Sequence, residues 1–154
     1  MIKQISYVIV LALLLAGCTS MKVAGVQSLG KEEKESMLKE TIAANWQAMV
    51  ERDRAKMYDL YDPFFRARVG KAWFIGQDMP IYYHSYELVA VDIKGNVAKA
   101  DTKVVYSIKH MGKLGKEIKR DNTETIVKDT WLFIDNRWQR QYYDNITDGT
   151  FANY

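Results

Sequence analysis

The chain has 154 residues, with 22 basic and 19 acidic side chains, a formal net charge of +3, two histidines and one cysteine. That length suits one domain, the weak positive charge offers no field for nucleic acid, and a lone cysteine excludes an internal disulfide. Four Trp, ten Tyr and five Phe are a rich supply for so small a chain. Each can bury about 150–250 Å², so packing is expected to carry the fold.

At the start, Lys3 precedes an apolar run from about Ser6 to Leu15, and two small residues lead to Cys18. This is the layout of a secretory signal. The run is about half of the ~20 residues that a membrane crossing needs, so it does not read as a span. The segment Leu15-Ala16-Gly17-Cys18 resembles the lipobox of bacterial lipoproteins. That resemblance implies removal of residues 1–17 and lipidation of Cys18, with two or three acyl chains holding the protein at the membrane. An incidental thiol is the competing reading. Position, the preceding Lys, the length of the run and the small residues all favour the lipid. The protein is therefore expected in the bacterial cell envelope. Thr19 and Ser20, in place of Asp, imply the outer membrane facing the periplasm if the envelope is Gram-negative.

Residues 18–30, the lipidated cysteine and a Ser, Gly, Thr and Val stretch without a period, read as a tether. Residues 31–154 read as one domain. Glu32, Glu33 and Glu35 open a long helix whose apolar stripe is Leu38, Ile42, Trp46, Met49 and Val50. Asp53 is placed to cap a second helix with Met57, Tyr58, Leu60 and Tyr61. Asp62-Pro63 caps a third, through Phe64, Phe65 and Val69 to Gly70. Trp73, Phe74 and Ile75 make one more apolar turn before Gly76.

Beyond Pro80 the period becomes two. Strands are expected from about Tyr82 to Lys94, Val97 to His110, Lys119 to Ile134 and Arg137 to Tyr143, with tight turns at Gly95-Asn96 and Asp135-Asn136 and a basic loop at Gly112 to Gly115. Helices followed by an antiparallel meander predict an α+β fold, N-terminal helices packed on a curved four-stranded sheet. Trp46 with Asp53, Leu60-Tyr61-Asp62-Pro63-Phe64, and Asp129-Thr130-Trp131 with Asp135-Asn136-Arg137-Trp138 resemble the nuclear transport factor 2-like, or cystatin-like (SnoaL-like), superfamily. The resemblance implies a cone-shaped domain. It says little of activity, because that superfamily holds enzymes, ligand binders and adaptors.

Two-residue turns would pair Lys94 with Val97 and Ile134 with Arg137. Glu87 would then face inward, Trp131 would meet Arg140, and Asp129 would meet Tyr142. The inward set is Glu87, Tyr106, Asp129, Trp131, Arg140 and Tyr142, with Trp46 from the long helix as a further lining residue. Asp129 with Arg140 reads as an internal ion pair. Alternatively Glu87 or Asp129 is a general base, as carboxylates are in the isomerases that the resemblance brings in. One bulge would turn every such side chain over.

His84 and His110, 26 positions apart with no second cysteine, predict no metal site, and no cofactor motif appears. His84 reads as a surface residue. The function expected is a lipid-anchored envelope domain that binds a partner protein or a small apolar ligand without turnover. The alternative is a lyase or isomerase using an interior carboxylate. Partners expected are the membrane through Cys18 and either an envelope protein or a second copy through the sheet.

Cys18→Ser should abolish incorporation of a palmitate analogue and release or stall the protein on membrane fractionation. Equal labelling of both forms would sink the lipid assignment.

Overall fold

The computed structural model describes residues 29–111 and 117–142. The signal, Cys18 and most of the tether lie outside the described residues, as do the Gly112 to Gly115 loop and everything from residue 143 on. Four helices precede four strands: α1 (Lys31–Glu51), α2 (Arg54–Leu60), α3 (Pro63–Arg68), α4 (Lys71–Gly76), β1 (Ile81–Lys94), β2 (Val97–Met111), β3 (Glu117–Ile134) and β4 (Arg137–Arg140). The strands form one antiparallel sheet in the order β1-β2-β3-β4, with helices packed against it. The fold is α+β, as the change of period predicts.

In α1 the buried residues Leu38, Ile42, Asn45, Trp46 and Met49 recur every three or four positions, so one face meets the sheet. The helix ends at Arg52, whose φ of 59° is left-handed. Arg52 N–H donates to Met49 C=O at 3.3 Å and Asp53 N–H to Ala48 C=O at 2.8 Å, the bonding of a Schellman cap. Glycine usually occupies that position, because a Cβ is strained there. Here the arginine side chain offsets the strain. Its guanidinium donates to the Met79 and Ile81 carbonyls and lies 4.2 Å from the Tyr82 ring centre, tying the end of α1 to the start of β1.

Asp53 Oδ1 accepts from Lys56 N–H at 3.0 Å, and Asp62 Oδ1 accepts from the N–H groups of Phe64 and Phe65 at 2.9 Å. Both expected caps form, with Pro63 in the first turn of α3. Asp62 does a second thing that its cap motif does not reveal. Its Oδ2 accepts from Tyr142 N–H at 3.1 Å, and its own N–H donates to the Arg140 carbonyl at 2.9 Å. The α2–α3 corner is thus stitched to the end of β4.

Lys94 pairs with Val97 across Gly95, whose φ is 64°; Ile134 pairs with Arg137 across Asp135 and Asn136, both left-handed. The second turn has the two positive φ angles of a type I′ hairpin. On β2, Ala98, Ala100, Thr102 and Val104 are all buried, which is the alternation expected.

Two expectations fail, each for a backbone reason. In β1, register shifts at Tyr83/Ser85 and Leu88/Ala90 reverse the alternation twice. Ile93 and Val91 face the helices, then Leu88 and Tyr86, then Tyr83; Glu87 is exposed opposite Lys103, and Val89 is exposed too. Glu87 is therefore not an interior residue. The fourth strand is also shorter than expected and ends at Arg140. Gln141 N–H still donates to Thr130 C=O, but Tyr142 N–H goes to Asp62, so Tyr142 never pairs with Asp129.

Trp131→Ala should cost ~3–5 kcal/mol in chemical denaturation, whereas Glu87→Ala and Lys103→Ala should each stay within about 0.5 kcal/mol. Comparable losses at Glu87 and Trp131 would show that the bulges do not set the strand faces.

Candidate functional site

The helix-facing side of the sheet carries one buried carboxylate, Asp129, and one almost buried guanidinium, Arg140. Trp131 and Arg140 are register partners on β3 and β4, so Asp129 lies one same-face step along β3 from Trp131 and diagonal to Arg140. Arg140 donates to Asp129 Oδ1 twice, from Nε at 3.0 Å and from Nη2 at 2.5 Å. Its Nη1 faces the Tyr61 hydroxyl at 3.4 Å, and its Cζ lies 5.6 Å from the Trp46 ring centre and 5.7 Å from that of Tyr61. Burial alone would disfavour a charged guanidinium. The oxygens of Tyr61 and Asp129 around it more than reverse this, raising the Arg140 pKa above its ordinary value.

Two phenols share the interior. Burial pushes the Tyr61 hydroxyl above its ordinary pKa, with Arg140 opposing, and burial does the same to Tyr83. Both therefore stay protonated and neutral around physiological pH. Tyr83 meets Trp46 edge to face at 5.3 Å and Tyr106 at 6.4 Å, so Tyr106 joins the cluster through Tyr83. Tyr142 joins from the other side. It stacks on Phe65 at 4.1 Å and meets Tyr61 at 5.0 Å.

Of the residues expected to line the interior, Trp46, Asp129, Trp131 and Arg140 are brought together; Tyr106 and Tyr142 sit at its flanks, and Glu87 is outside. Tyr83 is inside, on the face where a period of two puts it, and Tyr61 joins the site and Asn45 is buried without either having been singled out as a lining residue. Asn45 lies seven positions after Leu38, on the same helical stripe, so its burial was readable from spacing. Tyr61 was not. It is turned inward because the chain forms a parallel bridge from Tyr61 to Arg140 before Asp62 caps α3.

Several interior polar atoms have no hydrogen-bond partner among the described residues: both amide atoms of Asn45, the indole N–H groups of Trp46 and Trp131, Thr102 Oγ1 and Asp129 Oδ2. Buried polar atoms are normally paired, and each orphan costs about 1–3 kcal/mol. The set combines donors, an ambivalent hydroxyl and one carboxylate oxygen.

His84 is exposed, and its Nε2 lies 2.7 Å from Ser107 Oγ, which also accepts from Asn122 N–H at 3.2 Å. That contact joins the bulged parts of three strands on the outer face; the side chain of His110 lies outside the described residues. Among the described residues no group of three His, Cys, Asp or Glu side chains is placed to hold a metal ion. No described helix is long and apolar enough to cross a membrane.

No protein-family model matches the sequence, and no curated protein matches it. Among solved structures the chain is similar to RPA3114, a SEC-C motif containing protein from Rhodopseudomonas palustris, at 12% identity and a TM-score of 0.47, covering 66% of this chain and 72% of that one. It is also similar to Aln2 from a Streptomyces species, at 10% identity and a TM-score of 0.43, covering 73% and 88%. Both are remote likenesses and say nothing of activity.

Removing one partner of the ion pair should be worse than removing both. Arg140→Met should cost ~3–5 kcal/mol in urea denaturation by stranding Asp129, and the double variant with Asp129→Leu should recover much of that loss. A cost below about 1 kcal/mol for Arg140→Met would show that the pair does not organise the interior.

Proposed function

We propose that the chain is a lipid-anchored domain of the bacterial cell envelope, similar in fold to the nuclear transport factor 2-like superfamily, that binds a partner protein or a small apolar ligand without turnover. The observation that carries this is the double hold of Arg140 on Asp129 Oδ1, in an interior filled by the buried rings of Trp46, Trp131 and Trp138. A general base must reach a substrate proton. Asp129 is engaged, and Glu87 stands on the outer face opposite Lys103. The envelope location rests on Leu15 to Cys18, and the outer membrane facing the periplasm follows from Thr19 and Ser20 if the cell is Gram-negative. A protein partner or a second copy would meet the sheet's outer face.

One observation favours a second reading, a lyase or isomerase. Asp129 Oδ2 is buried with no partner among the described residues, so one oxygen of that carboxylate is not committed to Arg140.

Native mass spectrometry of the protein extracted from its membrane in mild detergent separates the two. The binding reading predicts the same bound species, of unchanged mass, on wild type and Asp129→Asn. A small molecule that accumulates on Asp129→Asn but leaves wild type chemically altered would establish turnover and overturn it.

A further inference from the structure

We propose that the open edge of β3 pairs with the same edge of a second copy of this chain, antiparallel about a two-fold axis at Ile126. Such pairing needs neither the lipid anchor nor a ligand. β3 runs from Glu117 to Ile134, yet β4 pairs only with Trp131 to Ile134. The rest of β3 has β2 on one side and, among the described residues, no strand on the other. From Thr123 to Leu132 it pairs with β2 without a register shift and without proline, so the open side of this stretch is regular. β1, at the opposite edge, carries two shifts. An even edge with neither bulge nor proline is a template for another strand.

Two bonds fix which backbone groups face the open side. Gln141 N–H donates to Thr130 C=O at 2.8 Å from the β4 side, whereas Phe133 N–H donates to Asn96 C=O at 2.8 Å beside β2. In a strand the N–H and C=O of one residue point the same way and alternate from residue to residue. Lys128, Ile126 and Glu124, in step with Thr130, therefore turn theirs to the open side. All three side chains are exposed on the outer face, Ile126 by 53%. The helices leave this part of the sheet uncovered, since Thr125, on their side, is exposed too.

The side chains select the occupant. A two-fold axis at Ile126 sets Ile126 against Ile126 and Glu124 against Lys128 on both sides, so each backbone group meets its complement and each charge its opposite. Neighbouring registers lose this match. Centred on Thr125 or Val127, Ile126 would face Glu124 or Lys128; centred on Glu124 or Lys128, that residue would face its own charge. Glu124 meets Lys103 through Oε1 at 2.8 Å, which leaves Oε2 for Lys128 of the second copy. An unrelated strand would satisfy the backbone alone, whereas a second copy also satisfies these three side chains.

The test uses the full-length protein in mild detergent, read by native mass spectrometry. Wild type should be a dimer. Lys128→Glu sets Glu against Glu and Glu124→Lys sets Lys against Lys, so each variant alone should dimerise more weakly, by about tenfold. Mixed in equal amounts, with one of them nitrogen-isotope-labelled, the two variants should form a heterodimer, because only there do opposite charges meet on both sides of the axis. That recovery also shows that both variants fold. A monomeric wild type, a wild type bound to a different polypeptide, variants that dimerise as tightly as wild type, or a mixture that stays monomeric would each overturn the edge pairing.

Discussion

Arg140 is the point where the separate parts of this domain meet. It is the last residue of β4, and its guanidinium holds Asp129 on β3, faces Tyr61 at the end of α2 and lies near the ring of Trp46 on α1. Its backbone carbonyl accepts from Asp62, which in turn caps α3. A buried charge is tolerated only when partnered, so satisfying this one fixes the position of four elements at once. The short β4 is sufficient because it delivers this side chain.

That arrangement has a cost that the surrounding residues do not fully offset. Asn45, Thr102 and one oxygen of Asp129 are buried with no partner among the described residues, beside two indole N–H groups in the same condition. An interior built for stability alone would carry apolar side chains of the same shape there.

The bulges of β1 serve the edge as well as the register. β1 is an outer strand of the sheet, with 14 residues that a neighbouring chain could extend. Two irregularities within it break the even ladder that such pairing needs and put Glu87 outside. Counted back from Gly95, the first kink turns Tyr86 inward and the second restores the face of Tyr83, so both rings meet Trp46. Protection of the edge and the aromatic lining of the interior thus have one backbone cause.

By itself the sequence determined what depends on local chemistry: the helical stripe of α1, the caps at Asp53 and Asp62, the hairpins at Gly95 and Asp135, the alternation of β2 and the α+β order. Each is set by residues a few positions apart, and the Asp129–Arg140 diagonal follows because a two-residue turn admits one register. The tertiary structure decided the rest. Alternation cannot show a bulge, since one extra residue leaves the composition unchanged while reversing the side chains beyond it, and so Glu87 moved outside. The direction of Tyr142 depended on Asp62, 80 positions away, accepting its N–H. Which ring of Trp73-Phe74-Ile75 is buried depended on what α2 and α3 present to it. Contacts distant along the chain carry no local signature, so these could be seen only in the folded domain.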